Sequence, residues 1–197
     1  MTSRISKTTI GIGIAVLVLF FMGFSGYNTL VNLDEAAATA WGNVQTQYQR
    51  RADLIPNLVN TVKGYAKHES GTLESVVAAR AKATQLTVNA DELTPEKMKQ
   101  LQAAQGELSQ ALGRLLMITE NYPELKANEN FRDLQAQLEG TENRINESRR
   151  QYNEVVKNYN VGIRSFPANI VAGIFGFEKR TPFEAEAGAE KAPSVEF

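Results

Sequence analysis

Residues 45–69 read QTQYQRRADLIPNLVNTVKGYAKHE, and where helices start and stop within them decides how the chain folds. Asp53 can accept from the free backbone N–H groups that open a helix, and Pro56 suits a first turn, where a missing N–H costs little. The stretch therefore predicts a reversal, with one helix ending near Arg51 and the next beginning near Leu54.

Upstream of that reversal, Leu30, Leu33, Ala37, Trp41, Val44 and Tyr48 alternate steps of three and four, as one face of a helix does. Trp41 has two readings, an anchor in the bundle core or an aromatic offered to a partner, and core is the ordinary fate of such a side chain. Further back, residues 10–24, IGIGIAVLVLFFMGF, carry no charge, and with their neighbours over 8–27 they are long enough to span roughly 30 Å of hydrocarbon as a helix. Arg4 and Lys7 precede the run while Asp34 and Glu35 follow it, so the positive-inside bias puts the N-terminus in the cytoplasm and the rest outside. A cleaved signal peptide is the competing reading, with Gly23 and Ser25 as the small residues before the cut. Gly11 and Ala15 form a small-xxx-small pair that would let two anchors pack together. With no proline between Tyr27 and Arg51, anchor and first helix can be one rod about 66 Å long at ~1.5 Å per residue.

Downstream, Leu54, Ile55, Leu58, Val62, Tyr65, Ala66, Leu73, Val76, Val77, Ala83 and Leu86 describe a second helix, with a kink expected near Gly71. Residues 89–94 read as a loop. Thr94, Pro95 and Glu96 then supply an N-cap, a first-turn proline and an acid at the positive helix end, and a third face runs from Met98 to Tyr122 before Pro123. Asn128 caps a fourth helix. Its seam places Phe131, Leu138, Ile145, Tyr152, Tyr159 and Phe166 at one heptad position and Leu134, Thr141, Ser148, Val155 and Gly162 at the other. Short connections between these helices predict an antiparallel up-down-up-down bundle.

The fold class expected is all-α, an N-terminal transmembrane helix followed by an antiparallel four-helix bundle. The domains are a cytoplasmic N-terminus at 1–7, an anchor at 8–27, the bundle at 28–166, an apolar membrane-proximal segment at 167–184, and a tail at 185–197 without periodicity, read as disordered. The composition agrees: Gln, Asn, Ala, Leu and Glu are abundant, and alternating β-branched runs are missing outside the N-terminus. A net charge of −1 gives no broad attraction to polyanions, so nucleic acid is not an expected partner. The absence of cysteine excludes disulfides, thiolate metal sites, a cysteine nucleophile and an acylated lipoprotein cysteine.

Three segments besides the opening one carry a family likeness: NYPELKANENF at 121–131, LEGTENRI at 138–145 and FPANIVAGIFGFEKRTPFE at 166–184. Together with QYQRRADLIPNLVNTVKGYAKHE they resemble the LemA family of bacterial membrane-anchored helical proteins, over nearly all of residues 27–184. That resemblance implies a fold and an address rather than a reaction. It also implies one class of partner by association, a membrane zinc metallopeptidase, since members are often encoded beside one.

Catalytic patterns are missing. His68 is the only histidine, and the HExxH pattern that His68-Glu69 begins has Thr72 where its second histidine belongs. Phosphate-cradling glycine loops do not occur, no cofactor is expected, and the sequon at Asn146 falls inside a helix. Two residue groups stand out instead. Arg50, Arg51, Asp53, Asn57 and Asn60 gather polar groups around the predicted helix start, either as a salt-bridged, capped junction or as a patch that a partner reads through its donors. Ile170, Val171, Ile174, Phe175 and Phe177 are too few to span a membrane, but they could lie at its interface with Lys179 and Arg180 among the headgroups, or cap the bundle as ordinary core.

The function expected is that of a membrane-anchored envelope scaffold or adaptor, not an enzyme, acting by binding other proteins. A self-assembling homo-oligomer is the alternative, and a hydrolase is a third with no constellation behind it. The location expected is the cell membrane, with one pass and the bundle extracytoplasmic.

Overall fold

The computed structural model describes residues 7–66 and 68–184; in the first helix, the side chains of residues 7–10, 12, 14–16, 18–20 and 22 lie outside that description. The described chain is all helix and connection, in the order α1 (Lys7–Tyr65), α2 (Ser70–Gln85), a 3₁₀ turn (Ala90–Glu92), α3 (Pro95–Thr119), α4 (Pro123–Ala127), α5 (Glu129–Gly162) and α6 (Ala168–Phe175). Among the described residues no helix is long and apolar enough to cross a membrane. Most of the apolar run at 10–24 falls on the side chains outside the description, and so does the small-residue pairing of Gly11 with Ala15. The tail at 185–197 also lies outside the described residues.

The first reversal is not at Arg51. α1 runs unbroken through Asp53 and Pro56 to Tyr65, 59 residues or about 88 Å of helix. Proline inside a helix deprives the carbonyl four residues back of its donor. Here that carbonyl is Ala52 O, and Arg80 of α2 donates to it through Nε at 2.7 Å. Asp53 caps nothing; its carboxylate accepts from Gln49 Nε2 at 2.7 Å on the exposed face. The turn comes instead at 66–69, closed by the Glu69 N–H donating to Ala66 O, so the kink expected near Gly71 is the reversal itself, displaced by a few residues.

With the turn moved, the bundle is still antiparallel. Gly162 of α5 lies against Leu30 and Leu33 of α1, and Glu142 against Arg51, so the two longest helices keep one register along their length. Gly162 makes this approach easy: a Cβ there would stand 2.9 Å from Leu33 Cδ1 and push that side-chain end aside. Lys82 of α2 reaches Glu107 of α3, pairing those two in opposite directions. The sequence signals at α3 and α5 act as read: Thr94 Oγ1 accepts from the Lys97 N–H at 3.2 Å and Asn128 Oδ1 from the Phe131 N–H at 3.0 Å. Pro123 ends one helix and opens another, the single turn α4.

The core falls into three clusters spaced along α1 and α5. At the far end, beside the 66–69 turn, it is aliphatic apart from Phe131, with Ile55, Leu58, Val62, Leu115 and Leu125 buried. Toward the near end, beside Leu30, it becomes aromatic, with Trp41, Tyr48, Tyr152 and Phe183. Each such side chain contributes about 1.5–3 kcal/mol by leaving water. The seam on α5 departs from a strict heptad in its last turns, where Val156 and Ile163 are buried rather than Val155 and Phe166. A helix of 3.6 residues per turn drifts off a seven-residue repeat, and the backbone leaves the helix at Ile163, so Phe166 ends 80% exposed. Thr141, fully buried on that seam, donates its hydroxyl to Gln137 O at 2.7 Å.

Candidate functional site: the polar hub and the C-terminal strap

In the last quarter of α1, Arg51 lies inside the bundle with 2% of its surface exposed. Its Nη1 donates to Glu142 Oε2 at 2.6 Å and to Ser109 Oγ at 2.8 Å, and its Nη2 to Gln105 Oε1 at 2.5 Å, tying α1 to α3 and α5. The guanidinium also sits 5.8 Å from the Tyr48 ring centroid. Arg50, Asp53, Asn57 and Asn60 are exposed. The predicted patch therefore divides into a buried clamp and four surface residues on the last turns of α1 before the 66–69 turn. Arg50 and Asp53 border a cleft of about 730 Å³ between α1 and the α2–α3 hairpin. Trp41 forms its inner edge, 2% exposed, with Nε1 donating to Val88 O at 2.8 Å, which is the core role.

After α6, Gly176 adopts φ +74°, which a glycine accepts without strain, and the chain turns back as an extended strap over residues 177–184. No periodicity announces this segment, and α5 holds it by its backbone. Asn160 donates Nδ2 to Arg180 O at 2.9 Å and accepts from the Arg180 N–H at 3.0 Å. Asn153, seven residues earlier, does the same for Phe183 at 3.0 and 2.8 Å. The residue before each asparagine is a tyrosine that donates its hydroxyl to a strap carbonyl: Tyr159 to Glu178 at 2.8 Å and Tyr152 to Thr181 at 3.0 Å. Seven helical residues rise about 10.5 Å and three extended residues about 10 Å, so a Tyr-Asn pair repeated every seven residues matches a strap read every three. The pairs Tyr152-Asn153 and Tyr159-Asn160 are the signal in the sequence that finds this groove. Sequence reasoning placed the tyrosines on the seam and passed over the asparagines.

Two side chains fix the strap's position. Arg180 donates Nε to Asp34 Oδ1 at 2.7 Å, Nη1 to Ala90 O at 2.8 Å and Nη2 to Asp91 Oδ1 at 3.0 Å, and the Asp34 carboxylate pushes its pKa further up. Phe183 fills a pocket against Trp41 and Tyr152, with centroids 5.8 and 5.5 Å away and the Arg149 guanidinium 4.8 Å over its ring. Burial pushes the phenols of Tyr152 and Tyr159 up to about 12 each.

The residues read as membrane-facing also divide. Ile170, Ile174 and Phe175 are exposed on α6, as is Lys179 after it. Phe177 packs on Tyr27 with centroids 5.8 Å apart, and Arg180 is turned into the bundle. α6 itself rests on α1 where the apolar run ends: Tyr27 lies 4.8 Å from the Phe175 ring, and Val171 lies beside Gly26.

Among the described residues no group of three or more acidic, histidine or cysteine side chains is arranged to hold a metal ion. What the geometry defines is an all-helical bundle fastened across its near half by its own extended C-terminal segment. The LemA family model matches residues 40–197, and the chain belongs to the LemA family. Among its relatives, magnetosome protein MamQ of Magnetospirillum gryphiswaldense is 27% identical over an alignment covering 98% of this chain and 78% of that one. Magnetosome protein MamQ 2 of Paramagnetospirillum magneticum is also 27% identical, over 86% of this chain and 68% of its own. Protein LemA of Metamycoplasma hominis is 24% identical over 79% of this chain and 67% of its own.

Proposed function

We propose that this protein is a single-pass membrane scaffold or adaptor whose bundle stands outside the cytoplasm and works by binding other proteins rather than by catalysis. The observation that carries this reading is the continuity of α1. The uncharged run at 10–24 and the central helix of the bundle belong to one rod, Lys7–Tyr65, so a span formed by the run would seat the bundle directly on the bilayer. α6 supports it, because its exposed Ile170, Ile174 and Phe175 lie beside the point where the run ends, and the exposed Lys179 that follows suits a headgroup layer. Arg4 and Lys7 before the run favour a cytoplasmic N-terminus.

A binding role fits the polar inventory: Arg51 and Arg180 are consumed in structural contacts, and of the exposed residues Arg50, Asp53, Asn57 and Asn60 the first two border a cleft open to a partner. A membrane zinc metallopeptidase is the class of partner that family association puts forward. Self-assembly is the second reading, favoured by the apolar surface that Phe166, Ile170, Ile174 and Phe175 leave uncovered.

Protease added to intact spheroplasts is expected to degrade the bundle while sparing a tag at the N-terminus. Cleavage of the tag with a protected bundle overturns the orientation, and release of the whole protein by alkaline carbonate overturns the anchor.

A further inference from the structure

We infer that the cleft between α1 and the α2–α3 hairpin is a docking groove for a neutral, apolar, extended segment of another protein, and that Gln105 at its floor receives a backbone carbonyl of that segment. The inference deepens the binding role proposed above and rests on it. Trp41, Leu54, Leu86, Leu101 and Leu108 give the cleft an apolar lining, and its volume of about 730 Å³ is that of a ligand site rather than a packing defect. Gln105 supplies the specific contact. It is 9% exposed, and its Oε1 accepts from Arg51 Nη2 at 2.5 Å. A guanidinium only donates, so the amide oxygen is held toward Arg51 and the Nε2 donors are turned away from it. Gln105 borders the cleft, and among the described residues nothing accepts from its Nε2. A nearly buried amide donor lacking an acceptor is costly, and a carbonyl entering the cleft would satisfy it.

Shape, charge and position choose the occupant. On α1 the lining runs from Trp41 to Leu54, a rise of about 20 Å, which about six residues of extended peptide match and a compact metabolite does not fill. The rim charges Arg50 and Asp53 are opposite in sign, and Asp53 already accepts from Gln49 Nε2, so the groove has no net charge to draw an acidic or basic segment. Trp41 stands about 21 Å beyond Tyr27 along the same helix, so acyl chains of a bilayer spanned by the uncharged run do not reach the groove, and its occupant comes from the aqueous side. An apolar lining with one buried donor is how a peptide groove combines affinity with register: the side chains fill it and the carbonyl fixes where they sit.

Trp41 is the only tryptophan in the chain and lies on the inner edge of the groove, so its emission reports occupancy. The test reconstitutes the full chain into phosphatidylcholine vesicles and titrates it with a capped hexapeptide of alternating leucine and serine, and with versions carrying aspartate or lysine in place of two serines. The neutral peptide is expected to give a saturable change in Trp41 emission, and each charged version to bind several-fold more weakly. Gln105→Glu keeps an oxygen for Arg51 but turns the donor at the cleft into an acceptor, so it should weaken the neutral peptide roughly tenfold without lowering the thermal midpoint. Thr84→Tyr, made on the exposed rim, should fill the groove and abolish the response. Absence of a saturable response to the neutral peptide overturns the inference, as does equal binding of the charged versions or an unchanged affinity in Gln105→Glu. A response to decanoate alone overturns the peptide occupant in favour of a free amphiphile. Orientation and anchoring are read separately by the protease and carbonate experiments, so if those succeed while the peptide fails, only the groove is lost and the scaffold reading stands.

Discussion

Beyond Arg51, toward the 66–69 turn, the bundle is filled by Ile55, Leu58, Val62, Leu112, Leu115 and Leu138, side chains that need only to be covered. On the other side, toward Leu30, the filling is Trp41, Tyr48, Tyr152, Tyr159 and Phe183, each bringing either a polar tip or a preferred ring geometry. The far half is closed by five helices, α1 to α5. The near half has the strap laid over α1 and α5, and its hydroxyls and amides are aimed at the strap backbone. Aliphatic packing is tolerant of sequence, whereas the strap depends on named donors and acceptors. The two halves should therefore fail by different causes.

The largest effect is expected in the far half. Leu138 is 6% exposed among Leu112, Leu115 and Phe131, and Leu138→Asp places a charge there without a partner. The domain should lose on the order of 3–5 kcal/mol, read as a lowered thermal or denaturant midpoint. An unchanged midpoint would mean that this position is outside the core and that the two halves do not differ as described.

The near half should instead respond to alkali. The Tyr152 phenol sits at about 12 against an ordinary 10.0 because burial disfavours its anion, and Tyr159 is raised to about 12 for the same first reason. Between those values the unfolded chain releases phenolic protons that the folded chain keeps. Stability is therefore intact below pH 10 and falls as pH rises through 12, by on the order of 2 kcal/mol for Tyr152. An ionised tyrosine also cannot donate to Thr181 O, so the strap should become protease-sensitive across this window. Tyr152→Phe should flatten the decline in thermal midpoint; the same slope in the variant would separate that phenol from the strap's hold.

What could be read from sequence follows the same division. Thr94-Pro95-Glu96 and Asn128 are local signals whose hydrogen bonds close within four residues, and both helix starts fall where they are read. The apolar faces of α3 and α5 were legible too, because burial on a helix repeats at a fixed spacing. Arg51 was legible as a notable residue but not as a buried one, since its partners Gln105, Ser109 and Glu142 come from helices whose register no local pattern fixes. The strap has no period of its own, and its contacts with Asp34 and Asn153 span long stretches of chain, so the segment was delimited but not laid on α5, where the repeated Tyr-Asn pair was the one signal for it. The first reversal was misread because Asp53 and Pro56 form the same pattern whether a helix starts there or a distant side chain repairs its interior.

That repair gives the smallest and sharpest expectation. Ala52 O should have received the N–H of residue 56, and with proline there it receives Arg80 Nε instead. Arg80→Ala leaves a partly buried carbonyl short of its donor and should cost about 1–2 kcal/mol. Pro56→Ala restores the helical donor. In that background the helix supplies what Arg80 had supplied, so the same Arg80→Ala change should cost measurably less, with a coupling of about 0.5 kcal/mol or more in the four-variant cycle. Strict additivity would mean that Arg80 contributes by packing along α1 alone. Coupling of the expected sign would establish that α1 passes through its proline because α2 lends it a hydrogen bond, which is why a sequence pattern that usually starts a helix does not break this one.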